Sequence, residues 1–118
     1  MSKEINLRER FDELDDQSSL RDIQEYIATM KEARGFSVNS VEREMLLMTE
    51  EIGELARAVR KDTGGRIDHK RPHETVNTAD ELADVLAYLL SVGSMMGVDV
   101  QSAYLAKEVR NFDRTWTK

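Results

Sequence analysis

The stretch VEREMLLMTEEIGELARAV, residues 41–59, places apolar side chains at Val41, Met45, Met48, Ile52, Leu55 and Val59, with spacings of 4, 3, 4, 3 and 4. That rhythm is one face of a long α-helix packed along a partner. Working outward, the same period recurs, while strand-type alternation is nearly absent. Ile23, Tyr26, Ile27 and Met30 predict a helix from about Leu20 to Arg34, capped by Ser19 with Asp22 and stopped by Gly35. A helix from near Thr78 to around Met96 ends at Gly97. Another starts after Asp99 and runs to about Asp113, with Leu105, Val109, Phe112 and Trp116 as its stripe. Leu7, Phe11 and Leu14 fit either a short N-terminal helix or a loosely docked, frayed segment. The expected architecture is an all-α, four-helix bundle over residues 19–118, preceded by a charged extension over residues 1–18.

Composition narrows the function. The chain has 118 residues, 17 basic and 23 acidic, for a net charge of −6. That balance argues against a nucleic-acid or anionic-membrane binder, which needs a clustered positive field. With no cysteine, a disulfide scaffold, a thiolate zinc site and a cysteine nucleophile are excluded. The longest uncharged run, Val85–Val98, is 14 residues, short of the roughly 20 that a membrane span needs. The N-terminus lacks the apolar core of a signal peptide, so a cytoplasmic location is expected.

The helix from Leu82 to Met96 carries a single charge, Asp84, in an otherwise apolar or small-residue wheel. A helix apolar almost all round needs cover on nearly every side. A homo-oligomer, dimer or tetramer, is therefore expected, against the alternative of a central helix in a monomer.

The acidic residues cluster in two helices. Glu51 and Glu54 lie about 60° apart on the wheel, as do Glu81 and Asp84. Glu50 falls on the far side of its helix. Packed together, the two helices bring four carboxylates to one cleft, where a divalent cation relieves their repulsion. Hard oxygen donors favour Mg²⁺ or Mn²⁺, and Mg²⁺ keeps positions open for water and phosphate oxygens. Each pair alone also fits a solvated helix face. Glu81 also fits a capping box with Thr78, and Gly53 a close helix contact.

The segment L-x-x-E-E-x-G-E-L-A at Leu47–Ala56 resembles the motif of MazG-like nucleoside triphosphate pyrophosphohydrolases, an all-α family. E-L-A-D-V-L-A-Y-L-L at Glu81–Leu90, G-V-D-V at Gly97–Val100, and Lys107, Asn111 and Arg114 in K-x-x-x-N-x-x-R are similar too. The resemblance implies Mg²⁺-dependent cleavage of a nucleoside triphosphate to the monophosphate and pyrophosphate. It implies Glu51, Glu54, Glu81 and Asp84 as metal ligands, with Glu50 positioning or activating water. Lys107, Asn111 and Arg114 share one helical face where cations and an amide suit a triphosphate, or simply a solvated helix end. Tyr88, one turn beyond Asp84, fits a stacking platform for the nucleoside or a core position. Phe112 and Trp116 are expected to close the core or an interface. The 62–77 stretch, rich in basic residues and carrying His69, His73 and Pro72, reads as a surface loop or a lid over phosphates. A dUTP- or dCTP-selective member of the same superfamily, and a non-catalytic helical interaction module, stand as alternatives.

Overall fold

In the computed structural model, residues 6–64 and 77–117 are described. The expectations for His69, His73, Pro72 and most of the 62–77 stretch lie outside them. The described residues form helices and turns only, with no strand: α1 (Leu7–Asp12), α2 (Leu20–Ala33), a 3₁₀ turn (Phe36–Val38), α3 (Val41–Asp62), α4 (Thr78–Met95) and α5 (Val100–Asn111). No described helix alone is long and apolar enough to cross a membrane. The chain gathers into two units, Asn39–Val92 and, separately, the residues before Asn39 with those after Val92.

The helix limits follow from local chemistry. Ser19 Oγ accepts from the Asp22 N–H at 3.1 Å, and Asp22 accepts from the Ser19 N–H at 3.3 Å, closing the capping box. Ser40 Oγ accepts from the Arg43 N–H at 3.1 Å to cap α3. Gly35 and Gly97 terminate α2 and α4 with φ of 76° and 70°, a left-handed conformation that other residues resist. The cap of α4 is Asn77, whose Oδ1 accepts from the Ala79 and Asp80 N–H groups. Thr78 instead donates its hydroxyl to Asp62, so the Thr78–Glu81 capping box does not form.

In the unit containing both termini, α1 rests on α2 through an edge-to-face contact of Phe11 and Tyr26, with centroids 5.7 Å apart. The short N-terminal helix thus forms. A polar clasp joins α2 to the α4–α5 turn. Gln24, only 4% exposed, donates from Nε2 to the Val98 carbonyl at 2.8 Å and to Ser94 Oγ at 3.3 Å. Its Oε1 accepts from the Val100 N–H at 3.0 Å. Nearby, Arg21 pairs with Asp99 and donates to Ser102 Oγ at 3.0 Å. The guanidinium and the Ser102 N–H hold the Asp99 carboxyl below its ordinary range, but the pair is solvated, so its worth is small. Gly93 is required by the clasp: a Cβ there would stand 2.6 Å from Val100 Cγ2 and 2.8 Å from Gln24 Nε2.

In the other unit, Asp62 of α3 is bonded to Thr78 of α4, and Glu51 of α3 lies with Glu81 and Asp84 of α4. The buried line of α3 is Glu44, Glu51 and Ala58, with Glu44 and Ala58 at 0% exposure. Asn39 Nδ2 donates to Glu44 Oε1 at 3.0 Å, offsetting part of that carboxylate's desolvation. The expected apolar stripe is therefore only partly inward. Its edge, Met45, Ile52 and Val59, faces solvent in the single chain, as do Leu82, Leu86 and Leu89 of α4. The α5 stripe of Leu105, Val109, Phe112 and Trp116 is exposed as well.

Gly53 has nothing within 4 Å of its would-be Cβ, so it marks no close helix contact. Substitution Gly93→Ala is expected to lower stability by about 1–3 kcal/mol through overpacking. Gly53→Ala, in an open helix interior, should raise it by about 0.5–1 kcal/mol. Urea denaturation of both variants checks the contrast.

Candidate active site

Glu51 occupies the inward line of α3 because it is seven residues from both buried Glu44 and buried Ala58, a spacing that returns to nearly the same face. Glu81 and Asp84 project from the first turns of α4 toward it. One carboxylate oxygen from each of Glu51, Glu81 and Asp84 lies within 4.8 Å of the others. Glu51 and Glu81 are half-buried and Asp84 is exposed, so the group forms a graded cleft. Among the described residues, no lysine or arginine forms an ion pair with these three. Glu81 Oε2 is buried and accepts no hydrogen bond.

That arrangement perturbs Glu51. Burial raises its carboxyl first, then a hydrogen bond with Glu81, then the negative charges of Asp84, Glu81 and Glu54, pushing it from 4.5 up to about 7. A proton at Glu51 is the only relief these residues supply for themselves. The donor set suits a hard divalent cation: all ligand atoms are oxygens, they repel one another, and one is orphaned.

Tyr88 is half-buried one turn along α4 from Asp84. Burial raises its hydroxyl, with the charges of Glu51, Glu44, Asp84 and Glu50 adding to the rise. The phenol therefore stays protonated as a hydrogen-bond donor beside the acids. Glu54 is exposed and stands outside the three-residue group, although its charge bears on Glu51. Glu50 is exposed, as its wheel position predicts.

Lys107, Asn111 and Arg114 belong to the other unit. Lys107 is exposed on α5 and Asn111 is half-buried at its end, with Oδ1 buried and without a hydrogen bond. The helix stops at Asn111, and the Asp113 and Arg114 N–H groups turn back to the Arg110 and Asn111 carbonyls. Arg114 thus lies past the helix rather than on its face, because tightening i→i+3 bonds replace the α pattern at this terminus. Trp116 is 63% exposed and Phe112 82%, so neither closes a core within the chain. Trp116 lies instead under the Arg114 guanidinium, 4.3 Å from carbon to ring centroid. Periodicity did not disclose that pair. The Arg-x-Trp spacing was its only trace in the sequence.

An all-helical chain with an acidic group shared by α3 and α4, suited to hard cations, is the class these features define. The model of the MazG nucleotide pyrophosphohydrolase domain matches residues 39–110, and the chain belongs to that family. The match takes in every acidic site residue, Tyr88 and Lys107, while Asn111 and Arg114 fall just beyond it. A comparison with curated proteins finds no match to the chain.

The raised Glu51 carboxyl has a thermodynamic consequence. Between about pH 4.5 and 7 the native chain keeps a proton that the unfolded chain has released, so stability falls as pH rises through that window. The melting temperature of metal-free protein should decline across it, and Glu51→Gln should flatten the profile. Unchanged slopes in the variant would show that the proton sits elsewhere.

Proposed function

We propose that this chain is a Mg²⁺-dependent pyrophosphohydrolase that cleaves a nucleoside triphosphate between its α and β phosphates, releasing the monophosphate and pyrophosphate. The observation that carries the reading is the convergence of Glu51, Glu81 and Asp84 within 4.8 Å, with Glu81 Oε2 orphaned, inside the span matched by the family model. These three and Glu54 would hold Mg²⁺, with Mn²⁺ as a substitute. When bound, the cation supplies charge neutralisation at the phosphates and a more acidic coordinated water.

The chain's own groups then have distinct tasks. Glu51 would hold the cation as a carboxylate, so its proton would be released on loading. Glu50 and Glu54, exposed at α3, are the carboxylates available to orient water and take its proton. Tyr88 would offer its ring face to the nucleoside. Lys107, Asn111 and Arg114 would contact the polyphosphate. The role in the cell would be nucleotide-pool cleansing, in the cytoplasm, by the domain from residue 19 onward.

We read the active form as a homo-oligomeric helical bundle. Support comes from the exposed apolar ridges Met45–Ile52–Val59 and Leu82–Leu86–Leu89, both within one unit. Contiguous apolar exposure of this kind is what a second copy of the chain would cover. Light scattering should give at least twice the 13.5 kDa of one chain.

Pyrophosphate release from a panel of canonical and modified nucleotides, with Mg²⁺ or Mn²⁺, tests the activity. Asp84→Ala and Glu54→Ala should each lower turnover by about a hundredfold or more with helical content intact, the scale of losing a principal charge stabiliser. Full turnover in both would refute the site. Turnover confined to dUTP or dCTP would select the base-specific alternative, and no turnover on any nucleotide the non-catalytic module. Mg²⁺ should also raise the melting temperature, as any ligand of the native state does, and Asp84→Ala should lose that shift.

A further inference from the structure

Asp62 is the last residue of α3 and Thr78 the first of α4. Both belong to the unit, Asn39–Val92, that holds Glu51, Glu81 and Asp84. The Thr78 hydroxyl donates to the Asp62 carboxylate. Local chemistry accounts for neither partner. A carboxylate in the last turn of a helix opposes the helix dipole, so Asp62 stands at the less favourable end of α3. The start of α4 supplies a hydroxyl donor and the positive end of another dipole. A threonine at a helix start commonly turns its hydroxyl to its own backbone. Here Asn77 Oδ1 already accepts from the Ala79 and Asp80 N–H groups at 2.8 and 3.3 Å. That leaves the Thr78 hydroxyl for a partner 16 positions away.

We infer that Asp62 and Thr78 are positioning residues for the divalent cation, a clasp that keeps Glu81 and Asp84 gathered with Glu51 before the cation arrives. The inference rests on the proposed reading of those three acids as a metal site. Their oxygens lie within 4.8 Å of one another and, when charged, push the helices that carry them apart. The covalent link opposes this weakly. Residues 63–77, 15 in number, separate the two partners in sequence, and the cost of closing a loop grows only slowly with its length. Connectivity alone therefore admits many offsets of α4 along α3. The Thr78 hydrogen bond acts one turn before Glu81. The Glu81 N–H donates to the Asn77 carbonyl at 3.0 Å, so the clasp and the Glu81 backbone share one helical turn. A site assembled in advance binds its ion more tightly than one the ion must gather.

Mn²⁺ added alone to the full chain, and followed by loss of the free-ion electron paramagnetic resonance signal, reads this role directly. Thr78→Val and Asp62→Ala should each raise the Mn²⁺ dissociation constant about three- to tenfold, the scale of one net hydrogen bond. Helical content by circular dichroism should not change. Thr78→Ser, which keeps the hydroxyl, should bind as the intact chain does. The double variant Asp62→Ala/Thr78→Val should bind no more weakly than either single one, because both remove the same contact. Unchanged affinity in Thr78→Val and Asp62→Ala, or losses that add in the double variant, would overturn the clasp and leave the metal reading standing. Failure of the intact chain to take up Mn²⁺ would overturn the reading of the acids as a metal site, and the clasp with it.

Discussion

Negative charge drawn partly out of water is the constraint on which the rest of this molecule depends. Glu51 shares the inward line of α3 with Glu44 and Ala58, and Glu81 and Asp84 meet it from α4. Two helices that present carboxylates to one another do not pack for the sake of those groups, because repulsion and desolvation both oppose it. A proton on Glu51, whose carboxyl is raised to about 7 by burial, a hydrogen bond with Glu81 and the neighbouring charges, or a cation relieves that repulsion. Oxygen donors that repel one another in this way suit a hard cation.

The scaffold meets that strain with little apolar burial of its own. Ile27, Ala58 and Leu90 are the buried apolar residues among those described. Gln24 satisfies a carbonyl, a hydroxyl and an amide N–H at the α4–α5 turn, and Asn39 supports the buried Glu44. Such contacts add modest net stability, yet leaving any of them unmade would be expensive, so they fix geometry more than they add energy. Apolar ridges on α3 and α4 meanwhile remain in water.

Much of this could be read from the residue order. Helical periods, the Ser19–Asp22 cap, the Ser40 and Asp99 starts and the glycine stops at Gly35 and Gly97 depend on neighbours within a few positions, so local chemistry determined them. The paired acidic motifs were equally legible, since spacings of three residues put Glu81 and Asp84 on one face whatever surrounds them. Which edge of the α3 stripe turns inward was decided only by the tertiary structure, because Met45, Met48, Ile52 and Val59 are alike in hydrophobicity and only their burial tells them apart. The same holds for the exclusion of Glu54 from the close group, for Asn77 rather than Thr78 as a cap, and for Gln24 as a buried clasp. The stacking of Arg114 on Trp116 arises where the helix ends and periodicity no longer speaks. Short-range preferences are written in the sequence, whereas the choice among faces of similar polarity is made by what each face meets.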